Sequence, residues 1–146
     1  MASSGDPEAR VCCLPRAGGS ARDFDDWSGR LGEGIEVAAV QLPGRLNRFR
    51  EPALTSLIDV AEAAAAELAA GRDLPLVLFG DCMGALVVFE IARLLRARFA
   101  IVPVALVVAS YLPPHEVRIT RPFHDASPEQ LRWRFPATSR GLARLS

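Results

Sequence analysis

Leu74-Pro75-Leu76-Val77-Leu78-Phe79 runs into Gly80-Asp81-Cys82-Met83-Gly84, and Ala85 to about Arg98 follows with a wide apolar face built from Leu86, Val87, Ile91, Leu94 and Leu95. A continuously apolar run, expected as a strand over 74–79, reads as one covered on both sides. The five residues after it have the form G-x-nucleophile-x-G. They sit where a strand must turn at once into a helix. Such an elbow forces its central residue to positive φ and throws that side chain out at the carboxyl edge of a sheet. Glycines on either side leave room where side chains would strike the neighbouring strand and helix. The sulfur of Cys82 would then lie at a helix N-terminus, whose free N–H groups favour an anion, while the adjacent Asp81 carboxylate opposes one. The alternative is a small buried residue in a βα turn.

Upstream, Val11 to Leu14 is a short strand stopped by Pro15, and Pro15-Arg16-Ala17-Gly18-Gly19-Ser20 is a loop of small residues. A loop of this kind can aim backbone N–H groups at a developing oxyanion, with the N–H of Met83 as the second donor. A tight βα turn that needs glycine for its backbone alone explains it equally. Ser20 and Asp23 have the spacing of a capping box. Phe24, Trp27 and Leu31 then form the apolar stripe of a single helix ending at Gly32–Gly34. Ile35 to Leu42 is a strand, and Pro43-Gly44-Arg45 opens a loop. Thr55 or Ser56 caps a helix that ends near Gly71. Its stripe is Leu57, Val60, Ala61, Ala64 and Leu68. Val104 to Ser110 is a fourth strand, and Ser127-Pro128-Glu129-Gln130 starts a short helix carrying Leu131 and Phe135. Strand and helix alternate throughout, so the fold class is α/β with a parallel, doubly wound sheet. Residues 1–10 read as a disordered tail, 11–135 as the domain, and 136–146 as an unpatterned tail.

Composition narrows the function. The 146 residues are 50% hydrophobic and 23% charged, with 17 basic and 17 acidic residues. A net charge of zero argues against nucleic acid. No apolar run has the length of a membrane span, and the polar start lacks a signal peptide's core. Three cysteines, two of them adjacent at 12 and 13, do not make a disulfide framework, so a reducing cytoplasm is expected. Cys12 and Cys13 read as core packing. Zinc spacing is absent, no lysine exists for a phosphate loop, and Gly18-Gly19 is not a dinucleotide fingerprint. Asp23, Asp25 and Asp26 read as acids at a helix N-terminus, and Arg93, Arg96 and Arg98 as a solvated helix end.

The order of these pieces resembles a type II thioesterase of the α/β-hydrolase superfamily, the discrete enzymes that accompany polyketide and nonribosomal peptide synthetases. The resemblance rests on Leu14 to Ser20, Phe24 and Trp27, on Val40-Gln41-Leu42-Pro43-Gly44-Arg45, and on Arg48, Glu51 and Pro52. It continues through Leu78-Phe79-Gly80 and Met83-Gly84-Ala85-Leu86 to Phe89-Glu90. It covers about Val11 to Phe135, the N-terminal part of that fold. His124-Asp125 resembles the start of the family's lid, expected over 115–135.

The resemblance implies hydrolysis of acyl or aminoacyl thioesters held on the phosphopantetheine arm of acyl or peptidyl carrier proteins. No cofactor of the chain's own is implied. Cys82 stands at the nucleophile position, where the family has Ser. Oxyanion donors would be the N–H of Met83 and of Arg16 or Ala17. The first strand should lie between the second and third. The departures are Asp81 in place of His, Cys82 in place of Ser, and Arg16 in place of an aromatic. In the family, strands carrying the triad Asp and His come later than these residues. His115 and His124 correspond to neither, so weak or no turnover is expected. Two other readings stay open. One is a non-catalytic module that docks a carrier protein or forms a homodimer through an exposed sheet edge. The other is a truncated, pseudogene-type product.

Overall fold

Val, Leu and Cys in β1 and Val, Leu and Phe in β3 have no polar side chain to satisfy, so both strands can be enclosed. In the computed structural model, which describes residues 6–71 and 73–112, they form the centre of a four-stranded parallel sheet. The order along the chain is β1 (Ala9–Leu14), a 3₁₀ turn (Ala21–Phe24), α1 (Trp27–Leu31), β2 (Ile35–Ala39), a second 3₁₀ turn (Leu46–Arg48), α2 (Leu57–Ala69), β3 (Leu76–Asp81), α3 (Met83–Phe99) and β4 (Ala105–Ala109). The strand order is β2-β1-β3-β4. β1 lies between β2 and β3, as the resemblance implied, and the α/β class is as read. Register pairs Cys12 with Ala38 on one side and with Leu78 on the other.

The core lies between the sheet and α2 with α3. Cys12, Leu14, Leu76 and Leu78 face Ala61, Ala64, Ala65, Val87, Val88, Ile91 and Leu95, all buried. The alanines of α2 let it approach α3 closely, and Arg98 on α3 reaches Glu62 on α2 at 2.8 Å. The other face of the sheet carries three rings. Phe24, Trp27 and Phe79 meet edge-on, with centroids 4.7–5.9 Å apart.

Several local expectations are corrected. β1 starts at Ala9, two residues early, because Glu8 and Ala9 donate to Gly34 O and Arg10 to Pro75 O. The disordered tail therefore cannot extend through residue 10. The first helix is two short pieces. Ser20 makes no side-chain cap; its carbonyl accepts from Asp23 N at 3.1 Å, and Gln41 Oε1 takes the Ala21 N–H at 3.3 Å. Asp25, Asp26 and Gly29 are poor helix formers, and packing of the Phe24 and Trp27 rings on Phe79 fixes the segment instead. Leu31, expected in the buried stripe, is 44% exposed. β2 ends at Ala39, after which only Val40 N still bonds to Cys13 O. β3 runs two residues further than expected and includes Asp81. Ser56, not Thr55, caps α2 through Asp59 N. The lid segment, His115, His124, the helix starting near Ser127 and the C-terminal tail lie outside the described residues.

Candidate active site

β3 ends one residue before Cys82 because the chain must reverse there to start α3 over the same strand. Cys82 has φ 51° and ψ −111°, the positive-φ strain expected at the centre of the elbow. Its N–H donates to Ala109 O at 2.9 Å, tying the turn to β4, and its carbonyl accepts from Ala85 N at 3.0 Å, opening α3. A Cβ on Gly80 would fall on the Gly84 carbonyl and 2.6 Å from Ala85 N. One on Gly84 would strike the carbonyl of Leu14 and come within 2.9 Å of the Pro15 oxygen. Both glycines are therefore required by backbone contact. The second contact shows that the elbow is seated directly against the loop leaving β1.

That loop turns through Gly18 at φ 78°, with Gly19 N donating to Arg16 O at 2.9 Å. Arg16, Ala17 and Met83 line one cavity of about 320 Å³, with Leu42, Leu57 and Val87 as its apolar wall. The N–H groups of Arg16, Ala17 and Met83 donate to no other described residue. The three residues singled out from the sequence for their backbone groups thus line one hollow, and Cys82, half-buried, immediately precedes Met83 in the chain. Cys12 and Cys13 are fully buried in β1. Burial, and for Cys12 its neighbour Cys13, pushes these thiols up to about 12 and about 11.

Two supports of the site were not read from the sequence. Gln41 leaves β2 and holds the N–H of Ala21, so the exit of β2 is tied to the segment that follows the glycine loop. Arg48 donates to Gln41 O at 2.8 Å and grips Glu51 with both arms of its guanidinium, at 2.8 and 2.6 Å. The Arg48–Glu51 hydrogen bond keeps the Glu51 carboxyl below its ordinary range. The spacing Arg-x-x-Glu was visible as part of the resemblance, but its carbonyl partner lies seven residues away across a loop. Asp81 was read as a departure and as a charge opposing an anion on Cys82, not for the face it occupies. Its place two residues after Phe79 on a strand puts both side chains on the ring-bearing face, and that alternation was the available signal. A further cavity, about 640 Å³, lies between β2 and α2 and is lined by Ala38, Val40, Leu54, Val60 and Leu68, away from Cys82. Among the described residues no group of His, Cys, Asp and Glu could hold a metal ion, and no helix is long and apolar enough to cross a membrane.

The thioesterase domain family matches residues 9–136. The chain belongs to that family. It is 38% identical over 121 residues to the gramicidin S biosynthesis protein GrsT of Aneurinibacillus migulanus, covering 83% of this chain and 47% of that protein. Among solved structures it resembles RedJ, a thioesterase of the prodiginine biosynthetic pathway in Streptomyces coelicolor, with a TM-score of 0.74 and 36% identity over 90% of this chain and 49% of RedJ. It also resembles BorB, the type II thioesterase of the borrelidin biosynthetic cluster, with a TM-score of 0.76 and 32% identity over 90% of this chain and 54% of BorB. The chain spans about half the length of these relatives. Its parallel α/β sheet is the one these thioesterase structures share over the part it matches.

Proposed function

We propose that this chain accepts acyl groups from carrier-protein thioesters onto Cys82, the first half of a thioesterase reaction. Supporting this are a half-buried Cys82 at a strained helix-opening turn and, next to it in the chain, Met83, which lines one cavity together with Arg16 and Ala17. The Cys82 sulfur attacks the thioester carbonyl carbon. The carbonyl electrons move onto oxygen, which the backbone N–H groups of Met83, Arg16 and Ala17 stabilise. Collapse breaks the bond to pantetheine, whose sulfur leaves with the proton given up by Cys82. One thioester replaces another, so the exchange is close to balanced. Release by water needs a positioned base. Neither His115 nor His124 corresponds to the base the resemblance implies, so the chain on its own should deacylate slowly and accumulate acyl-Cys82. The partners are acyl or peptidyl carrier proteins, the setting is the cytoplasm, and no bound cofactor takes part.

The test is intact-protein mass spectrometry after mixing with a carrier protein bearing a phosphopantetheine thioester. The expected result is a single acyl mass, lost in Cys82→Ala. No added mass, or the same mass on the variant, would overturn the proposal.

A second reading, a dimerising or docking module, draws on β4. Among the described residues it pairs only with β3, and Val104, Leu106 and Val107 are 70%, 39% and 43% exposed. An open apolar edge invites a partner strand. Sedimentation equilibrium giving a monomer at tens of micromolar (roughly, the range where weak edge pairing shows) would count against it.

A further inference from the structure

The hollow lined by Met83, Arg16 and Ala17 takes much of its other lining from Leu42, Pro43, Arg45 and residues 53–57. These lie between β2 and α2, where the only regular element is the three-residue turn Leu46–Arg48. No sheet ladder or long helix holds that stretch, so its backbone groups need other partners. Arg48 supplies them. Its guanidinium spans Gln41 O and both carboxylate oxygens of Glu51. Its carbonyl accepts from Gly44 N at 2.9 Å and from Glu51 N at 3.0 Å, and its own N–H donates to Arg45 O at 2.8 Å. Inside this clamp Leu46 is held at φ 43°, a left-handed conformation that is costly for leucine. Gln41 carries the connection onward. Its Oε1 takes the N–H of Ala21 at 3.3 Å, and Ala21 directly follows the glycine loop. Glu51, Arg48, Gln41 and Ala21 therefore make one continuous chain of polar contacts, from the loop that lines one part of the hollow to the loop that lines the other.

Neither Arg48 nor Gln41 lines the hollow itself. Whatever they do for a group bound there, they do through their neighbours. We propose that Arg48 is a positioning residue for acyl transfer to Cys82: acting through Gln41 and Glu51, it fixes the segment after β2 against the glycine loop, and so sets how tightly a thioester is held without altering the sulfur that attacks it. The inference rests on Cys82 as acyl acceptor and adds the residue that shapes the hollow receiving the thioester. Charge-assisted, two-armed contacts of this kind fix direction as well as distance, which is what a loop without regular structure lacks.

Acylation of Cys82 by propionyl-pantetheine, followed by mass spectrometry over a range of ester concentrations, separates the half-saturating concentration from the limiting rate. In Arg48→Ala the half-saturating concentration should rise about tenfold while the limiting rate stays within about twofold. Alkylation of Cys82 by iodoacetamide, which needs no bound ester, should also stay within about twofold. Adding Gln41→Ala to Arg48→Ala should cost nothing further, because both break the same chain; two independent supports would multiply to about a hundredfold. An unchanged half-saturating concentration in Arg48→Ala overturns the inference, as do a multiplied effect in the double variant and a fall in alkylation equal to the fall in acylation. Should Arg48→Ala lose its fold by circular dichroism, Glu51→Gln, which leaves Arg48 in place, decides by the same readings, with a rise of about threefold expected and no rise overturning it. If the native chain takes no acyl group at Cys82, the acyl-acceptor reading fails by itself. Hydrogen exchange at the Ala21 amide then decides the relay separately. Exchange about tenfold faster in Arg48→Ala, with the Val40 amide unchanged, supports it, and equal exchange at Ala21 removes it.

Discussion

The chain holds two kinds of cysteine, and their difference comes from backbone position alone. Cys12 and Cys13 sit side by side in the centre of β1, one facing α2 and α3 and the other the opposite layer, and neither exposes any surface. Cys82 ends a strand of the same sheet, one register step beyond the paired residues of β3, and the turn lifts it clear. Enclosure holds the β1 thiols neutral and pushes them up, whereas the elbow gives Cys82 an open side and a helix start. In this molecule the half-open position is made by two glycines and a tight turn, and the sulfur is only what occupies it.

The widest gap between the two environments should appear in alkylation. Iodoacetamide should reach Cys82 in the native state but Cys12 and Cys13 only through global opening, a difference of about a thousandfold or more. Peptide mapping of a time course measures it, and comparable rates at all three would erase the contrast. Gly84→Ala should follow, since its new Cβ has nowhere to go but into the carbonyl of Leu14. A loss of about 3 kcal/mol in a urea melt is expected. A change under about 0.5 kcal/mol, well short of any named overpacking cost, would mean that elbow and glycine loop are not in backbone contact.

Alkali separates the cysteines in a third way. Unfolded Cys12 ionises from about 9.0, whereas folded Cys12 stays neutral to about 12. The unfolded state therefore binds fewer protons across that interval. The stability owed to the neutral thiol is complete below about 9.0 and is lost as pH rises towards about 12. The slope is at most about 1.4 kcal/mol per pH unit for one thiol. Urea midpoints between those values should fall with pH, and Cys12→Ala should flatten the line. Parallel lines for the two proteins would contradict the burial argument. The smallest effect is expected at the elbow itself. Cys82→Gly relieves a non-glycine residue of its positive φ and should raise stability by about 1 kcal/mol. A destabilised variant would show that the Cys82 side chain is held by packing rather than by strain.

Much of this was legible in the sequence because it depends on local alternation and on glycine. Four strands, the helices covering them and the elbow followed from apolar runs broken at Gly80 and Gly84. The segment after Ser20 did not, because its conformation is set by Phe79 and Gln41, distant in the chain, and these override a plausible cap. The position of β1 between β2 and β3 came from the resemblance to a known family and not from periodicity, which carries no information on strand order. The buried Oδ1 of Asp81 was illegible for the same reason. Its burial depends on tertiary packing, and the sequence showed only an acid beside a cysteine on the face that Phe79 also occupies.

The central claim is that the elbow, and no other cysteine position, carries reactive sulfur. It is tested most directly by treating the folded protein with a limiting amount of acyl-pantetheine, then digesting with trypsin and locating the acyl group. The account predicts acyl mass on the peptide holding Cys82, with an equal amount of free pantetheine released, and none on the peptide holding Cys12 and Cys13. Acyl groups spread over all three cysteines, or found on the β1 pair alone, would contradict it.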